Sequence, residues 1–210
     1  MRIMWISLVW LAIGCNQKSK EETTSAIQPA NPASAPTTNG GEEGIPLGAI
    51  KEDFVDIQGL VRVTLTDQGG LKSADGYYLN NKRHGAWTEY QTNGLVKSVT
   101  TYFEGKKEGL CMELNQTGQM TKRFYYHNGV RHGDYKEFNY SSLKEERMYV
   151  SGKLEGTVRI FYDNSKLMEE SLYKNGLRDG VSKWYDQEGN LTIQYEYKNG
   201  ELVKKNAEVL

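Results

Sequence analysis

Tyr173–Gly180 reads YKNGLRDG, and 47 residues earlier Tyr126–Gly133 reads YHNGVRHG. Aligning on the last glycine of the phrase gives a series, Gly85, Gly109, Gly133, Gly156 and Gly180, with gaps of 24, 24, 23 and 24 residues. Seven residues before each glycine stands a tyrosine: Tyr78, Tyr102, Tyr126, Tyr149 and Tyr173, with Tyr197 continuing the series. Five residues after each glycine comes a large apolar residue (Tyr90, Leu114, Phe138, Phe161, Tyr185), and nine after comes Gly94, Gly118, Ser142, Ser165 or Gly189. A period this regular is the sequence signature of a repeat architecture, in which each unit buries surface only against its neighbours. Stepping back 24 residues from Tyr78 reaches Phe54, so a degenerate first repeat spans 54–77 and a truncated last one spans 197–210.

Each period holds two turn signals. One lies between tyrosine and glycine: HNG at 127–129, KNG at 174–176 and 198–200, and FEG at 103–105. Asn-Gly accepts the positive φ that a two-residue hairpin demands. The second signal falls half a period later, as TNG at 92–94, QTG at 116–118 and QEG at 187–189. Between them run short segments rich in β-branched and aromatic residues, such as AWTEY (86–90) and TVRIF (157–161). All four prolines precede residue 47, so no ladder donor is lost to proline in the remaining chain. The expected fold is all-β: an elongated single-layer antiparallel meander of stacked β-hairpins, about six units long, occupying 49–210.

The spacing and the tyrosine–glycine–glycine–aromatic pattern resemble the MORN repeat, in the bacterial variant that includes YwqK-type antitoxins. The resemblance covers about 54–204. It implies an open sheet whose repeated residues, Tyr78, Gly85, Tyr102, Gly109, Tyr126, Gly133, Tyr149, Gly156, Tyr173, Gly180 and Tyr197, are scaffold. It also implies a protein-binding array, with an antitoxin that masks a toxin as the alternative.

The N-terminus reads as an address. Arg2 precedes an apolar run from Ile3 to Ile13, too short for a bilayer span, which needs roughly 20 residues, but suited to a signal h-region. Ala12–Cys15 resembles a lipobox, departing from it where Ala12 stands in place of the usual leucine. The resemblance implies cleavage after residue 14 and acylation of Cys15, hence a bacterial envelope protein held by lipid, at the outer membrane if Asn16 and the following QKSKEE act as sorting residues. Residues 15–48 are rich in Ser, Thr, Ala, Pro and Gly and read as a disordered tether.

Nothing in the array reads as chemistry. There is no nucleophile elbow, HExxH or phosphate loop. His84 and His132 occupy equivalent places two units apart, about 19 Å at sheet spacing, and cannot share a metal. His127 and His132 flank one turn without an evident third ligand. Glu89, Glu113 and Glu137 recur four residues after the glycine. They would stand about 10 Å apart, beyond the roughly 5–9.5 Å of a glycosidase pair, and read as a solvated face. With Cys15 acylated, Cys111 is left as a packing residue. No catalytic, cofactor or metal residues are expected, and the chain reads as non-enzymatic.

The column two residues after the glycine, Trp87, Cys111, Tyr135, Val158 and Ser182, varies sharply in size. Two readings stand for it: cross-strand packing, or a face that varies because it contacts a partner. On the second reading Trp87 and Tyr135, with Trp184 in the adjoining column, form the candidate binding surface for a protein partner. From residue 54 onward there are 22 Lys+Arg against 21 Asp+Glu. So balanced a charge provides no field for nucleic acid or acidic lipid. The terminal strands of an open meander leave edges that invite weak self-association.

Overall fold

The computed structural model describes residues 44–206. The signal segment 1–14, Cys15, the tether up to residue 43, and 207–210 lie outside the described residues. The described part contains fifteen strands and no helix: β1 (Ile50–Asp53), β2 (Leu60–Thr66), β3 (Lys72–Leu79), β4 (Lys82–Tyr90), β5 (Val96–Phe103), β6 (Lys106–Leu114), β7 (Met120–His127), β8 (Val130–Asn139), β9 (Ser142–Val150), β10 (Lys153–Leu154), β11 (Gly156–Phe161), β12 (Leu167–Lys174), β13 (Leu177–Tyr185), β14 (Leu191–Lys198) and β15 (Glu201–Asn206). They form one antiparallel sheet in which spatial order follows chain order. The short β10 pairs beside β11 on β9. The all-β meander expected from the period is the fold observed.

The turn chemistry explains the connectivity. Asn80–Asn81, Glu104–Gly105, Asn128–Gly129, Ser151–Gly152, Asn175–Gly176 and Asn199–Gly200 each have positive φ at both positions, the geometry that matches strand twist in a two-residue hairpin. The alternate turns are longer. In Gln91–Leu95 the amide of Gln91 donates to the carbonyl of Leu95 at 2.8 Å, and the pattern recurs at 67–71, 115–119, 162–166 and 186–190. The fourth unit, one residue short, departs from this. Its turn is the two-residue Tyr140–Ser141, with φ of 46° and 70°, and Ser142 is already in β9. Deleting one residue from the longer loop leaves too little chain to form it, so the hairpin closes in the tighter geometry.

The repeat glycines also have positive φ, from 70° at Gly85 to 115° at Gly180. Each faces the tyrosine of the following unit: Gly85 pairs Tyr102, Gly109 pairs Tyr126, Gly133 pairs Tyr149, Gly156 pairs Tyr173 and Gly180 pairs Tyr197. The eight-residue phrase is thus strand end, turn and strand start, with a glycine where the strand takes a positive φ.

Paired residues point to the same side of a sheet, so the register separates two faces. The inner face carries both apolar clusters. The first is Val63, Ala74, Tyr78 and Trp87, with Ile45, Ala49 and Tyr102 packed against it. The second is Cys111, Phe124, Tyr135, Tyr149, Leu154 and Val158. Two boundaries differ from the sequence reading. Residues 44–48, assigned to the tether, are ordered: Ile45 packs on the first cluster and its amide donates to Asn81 Oδ1 at 3.2 Å. Phe54 does not take the place of Tyr78. Tyr78 is fully buried, while Phe54 follows β1, is partly exposed, and lies against Tyr77. Val61 rather than a glycine faces Tyr78, so the first unit also departs from the repeat at the glycine position.

The outer face is polar across its middle strands. Lys136, Glu146, Arg159 and Glu170 succeed one another on β8, β9, β11 and β12. Ion pairs link them at 3.6, 2.9 and 2.8 Å.

Near the first edge, Asp75 accepts from Lys72 at 2.7 Å, Tyr90 Oη at 2.9 Å and Arg62 at 3.1 Å. Burial pushes its carboxyl up, but these three donors outweigh it and hold the pKa below the usual aspartate value. A depressed folded pKa contributes stability that is complete above the unfolded value and is lost as pH falls through the folded one. The urea midpoint should therefore be flat with respect to this group at neutral pH and fall below about pH 4. Asp75→Asn should lower the neutral-pH midpoint and remove that share of the acid dependence, as read from midpoints across a pH series.

Candidate functional site

The aromatic column is a core. Trp87 is 4% exposed and Tyr135 7%, so the residues proposed as a binding surface from the sequence present no free aromatic face. The reason is local. The Trp87 ring stands edge-on to Tyr78 at 5.7 Å, and Tyr135 is enclosed by Phe124 and Tyr149 at 6.1 and 6.3 Å. Burial pushes the Tyr135 hydroxyl pKa up, and the hydroxyl donates to Glu137 at 2.7 Å. Trp184 is half-buried. It meets Tyr195 edge-on at 5.5 Å and its Nε1 donates to Glu169 at 3.0 Å.

Between the rings runs a row of cations. Arg83, Lys107, Arg131 and Arg178 each lie two residues before a repeat glycine and pair the repeat tyrosine of their own hairpin. Leu154 fills this place in the fifth unit, opposite Tyr149. Arg83 stacks 4.7 Å over Trp87 and 5.4 Å over Tyr102. Arg178 stacks over Trp184, Tyr197 and Tyr173 at 5.2, 5.5 and 5.8 Å. Arg131 lies 4.6 Å from Phe124, 5.3 Å from Tyr135, 5.7 Å from Tyr149 and 6.0 Å from Tyr126. A guanidinium over an aromatic face is attracted by the ring quadrupole, more strongly when desolvated. The inner face is thus an alternating ladder of cations and rings.

Acids are threaded into it. Glu169, 5% exposed, binds Arg178 at 2.5 Å, the Trp184 indole and the Ser171 hydroxyl. Glu145 is held by Arg147. Glu89 and Glu113 keep side chains 47% and 44% exposed, but with Glu137 they do not form a separate solvated face. They share the inner face with the core column and are half-buried, because each follows a core residue by two along its strand. Glu89 and Glu113 reach Lys97 and Lys122 at 3.5 and 3.4 Å.

The histidines remain apart from this face. His127 Nδ1 lies 2.8 Å from Glu108, and its ring is 5.8 Å from that of His132. The other Glu108 oxygen accepts from the Asn128 amide at 2.7 Å, and His132 Nδ1 accepts from the Ser151 amide at 3.3 Å. Those lone pairs serve the turns, and among the described residues no group of three His, Cys, Asp or Glu is placed to hold a metal.

Cys111 is 2% exposed, and burial pushes its thiol pKa up. In a Cys15→Ser chain it should resist maleimide labelling under native conditions and label fully in denaturant. Rapid native labelling would mean that the inner face opens.

Residues 154–175 and 178–199 match the MORN repeat variant. The two matched MORN repeats run from Leu154, at the end of β10, through β14. No curated protein matches. Among solved structures, the chain is similar to S. aureus TarM bound to Fondaparinux, alpha-GlcNAc-glycerol and UDP, at 12% identity and a TM-score of 0.33, covering 52% of this chain and 21% of that one. A second TarM structure gives 13% identity, the same TM-score and the same coverage. This chain spans about a fifth of the length of those proteins.

Proposed function

We propose that this chain is a non-enzymatic lipoprotein of the bacterial envelope, held by acylated Cys15, whose MORN sheet is a protein-binding or scaffold surface. MORN repeats are generally protein- or membrane-binding repeats. The observation that carries the protein-binding form of this reading is the row of half-buried cations, Arg83, Lys107, Arg131 and Arg178, along the inner face. Nearly equal numbers of acids and bases weigh against a membrane-binding form. The apolar run before Cys15 supports the anchor.

The test is cross-linking of the full-length chain in intact cells, with fractionation beside a Cys15→Ser chain. The expected result is a membrane-bound wild type with a stoichiometric protein adduct, and release of the Cys15→Ser chain to the soluble fraction. A toxin as the single adduct would assign the antitoxin role. Unchanged fractionation of Cys15→Ser would overturn the anchor, and absence of any adduct would overturn the binding role.

A further inference from the structure

We infer that Arg131 is a carboxylate-recognition point, and that the inner face at β7–β9 takes an extended peptide of a partner protein whose Asp or Glu side chain docks on this guanidinium. The inference rests on the protein-binding reading and names the partner's chemistry.

The repeat supplies its own controls. Arg83 Nε donates to Tyr78 Oη at 3.3 Å, and its Nη1 to Tyr102 Oη at 3.2 Å. Arg178 Nε donates to Tyr173 Oη at 3.0 Å, and its Nη2 to the Glu169 carboxylate at 2.5 Å. Arg131 occupies the same register position, opposite Tyr126. It has four rings around it, yet its Nε is covered and has no hydrogen-bond partner. Among the described residues no carboxylate forms an ion pair with it. The sequence shows why. Nine residues before Arg178 stands Glu169, whereas nine before Arg131 stands Lys122, which turns away to Glu113 at 3.4 Å.

The rings orient the guanidinium and lower the polarity around it, but they accept none of its N–H donors. A half-buried guanidinium fork is geometrically matched to a planar carboxylate, which it binds through two parallel bonds. The neighbouring charges select the ligand. Glu113 and Glu137 face Lys122 from either side, on the same face. A phosphate dianion would meet their repulsion more strongly, while a single carboxylate neutralises the Arg131 guanidinium. Tyr126, half-buried beside it, offers ring surface for the apolar residues that flank the acid in a peptide.

The experiment pans a phage-displayed random dodecapeptide library on the full chain, then measures the leading peptide by fluorescence anisotropy. Enriched peptides should share an Asp or Glu in one register. Changing that residue to its amide should weaken binding about ten- to a hundredfold. Arg131→Gln should give the same loss, Arg131→Lys a smaller one, and the amide peptide on Arg131→Gln no further loss. The peptide-side change needs no protein variant, so it decides the matter even if Arg131→Gln fails to fold. Acid-free winners, an amide peptide that binds equally well, or no enrichment over the urea-unfolded chain would overturn the inference. So would Arg131-dependent binding of inorganic phosphate or phosphatidylglycerol vesicles in place of peptide. Acid-free peptides bound to the folded chain would leave the protein-binding reading standing.

Discussion

Replacing Trp87 with alanine is expected to destabilise the first half of the sheet by about 3–5 kcal/mol, the usual cost of emptying a large aromatic site. The ring is central to its surroundings. It packs on Tyr78, supports the Arg83 guanidinium, and lies so close to Gly76 that a Cβ there would come within 2.4 Å of its Cε3. No helix or second sheet lies behind it among the described residues. A cavity on a single sheet also admits water to the strands beside it. Because each strand is stabilised by its immediate neighbours, the loss should stay local. Hydrogen exchange should show amide protection falling over β2–β5, with β12–β14 unchanged. A loss under about 1 kcal/mol would show that the ring is a surface residue in solution, as the sequence alone allowed.

Arg178→Met should be comparably damaging, at about 3–5 kcal/mol, because it strands the Glu169 carboxylate in a site where only the Trp184 indole and Ser171 hydroxyl remain as donors. The double replacement Glu169→Leu with Arg178→Met should recover most of that loss, since an apolar pair of similar volume avoids desolvating two charges. The recovery falls short of complete because Arg178 also stacks over Tyr173, Trp184 and Tyr197. Urea midpoints of the two single variants and the double variant form the cycle that measures the coupling. Additive losses would show that Glu169 reaches solvent without Arg178, contrary to its 5% exposure.

The fold was legible because its determinants are local and repeated. Asn-Gly at 128–129, 175–176 and 199–200 dictates tight hairpins, and the 24-residue period dictates their stacking. The inner face was less legible. Trp87 and Tyr135 vary in size along their column, which from sequence alone suits a core as well as a contact surface. Only the register, placing Tyr78 and Tyr149 against them, decides. The cation row has a signal in the sequence, a basic residue two positions before four of the five glycines, but that position does not disclose burial. Its burial depends on rings from adjacent strands, as when Arg83 meets Tyr102. The loss of the acid at Lys122 is visible only when that position is compared with Glu169 across two repeats.

The order of strands has a mechanical consequence. Apart from the short β10, chain order and spatial order coincide from β1 to β15, so the two ends of the array lie on opposite edge strands. Tension applied between them acts across the strands, in line with the ladder hydrogen bonds, and loads the pairings in series. Each ladder then opens from one end, bond after bond, as a zipper does. The array should yield in a succession of small steps at low force rather than in one rupture, and should re-form hairpin by hairpin when the load is released.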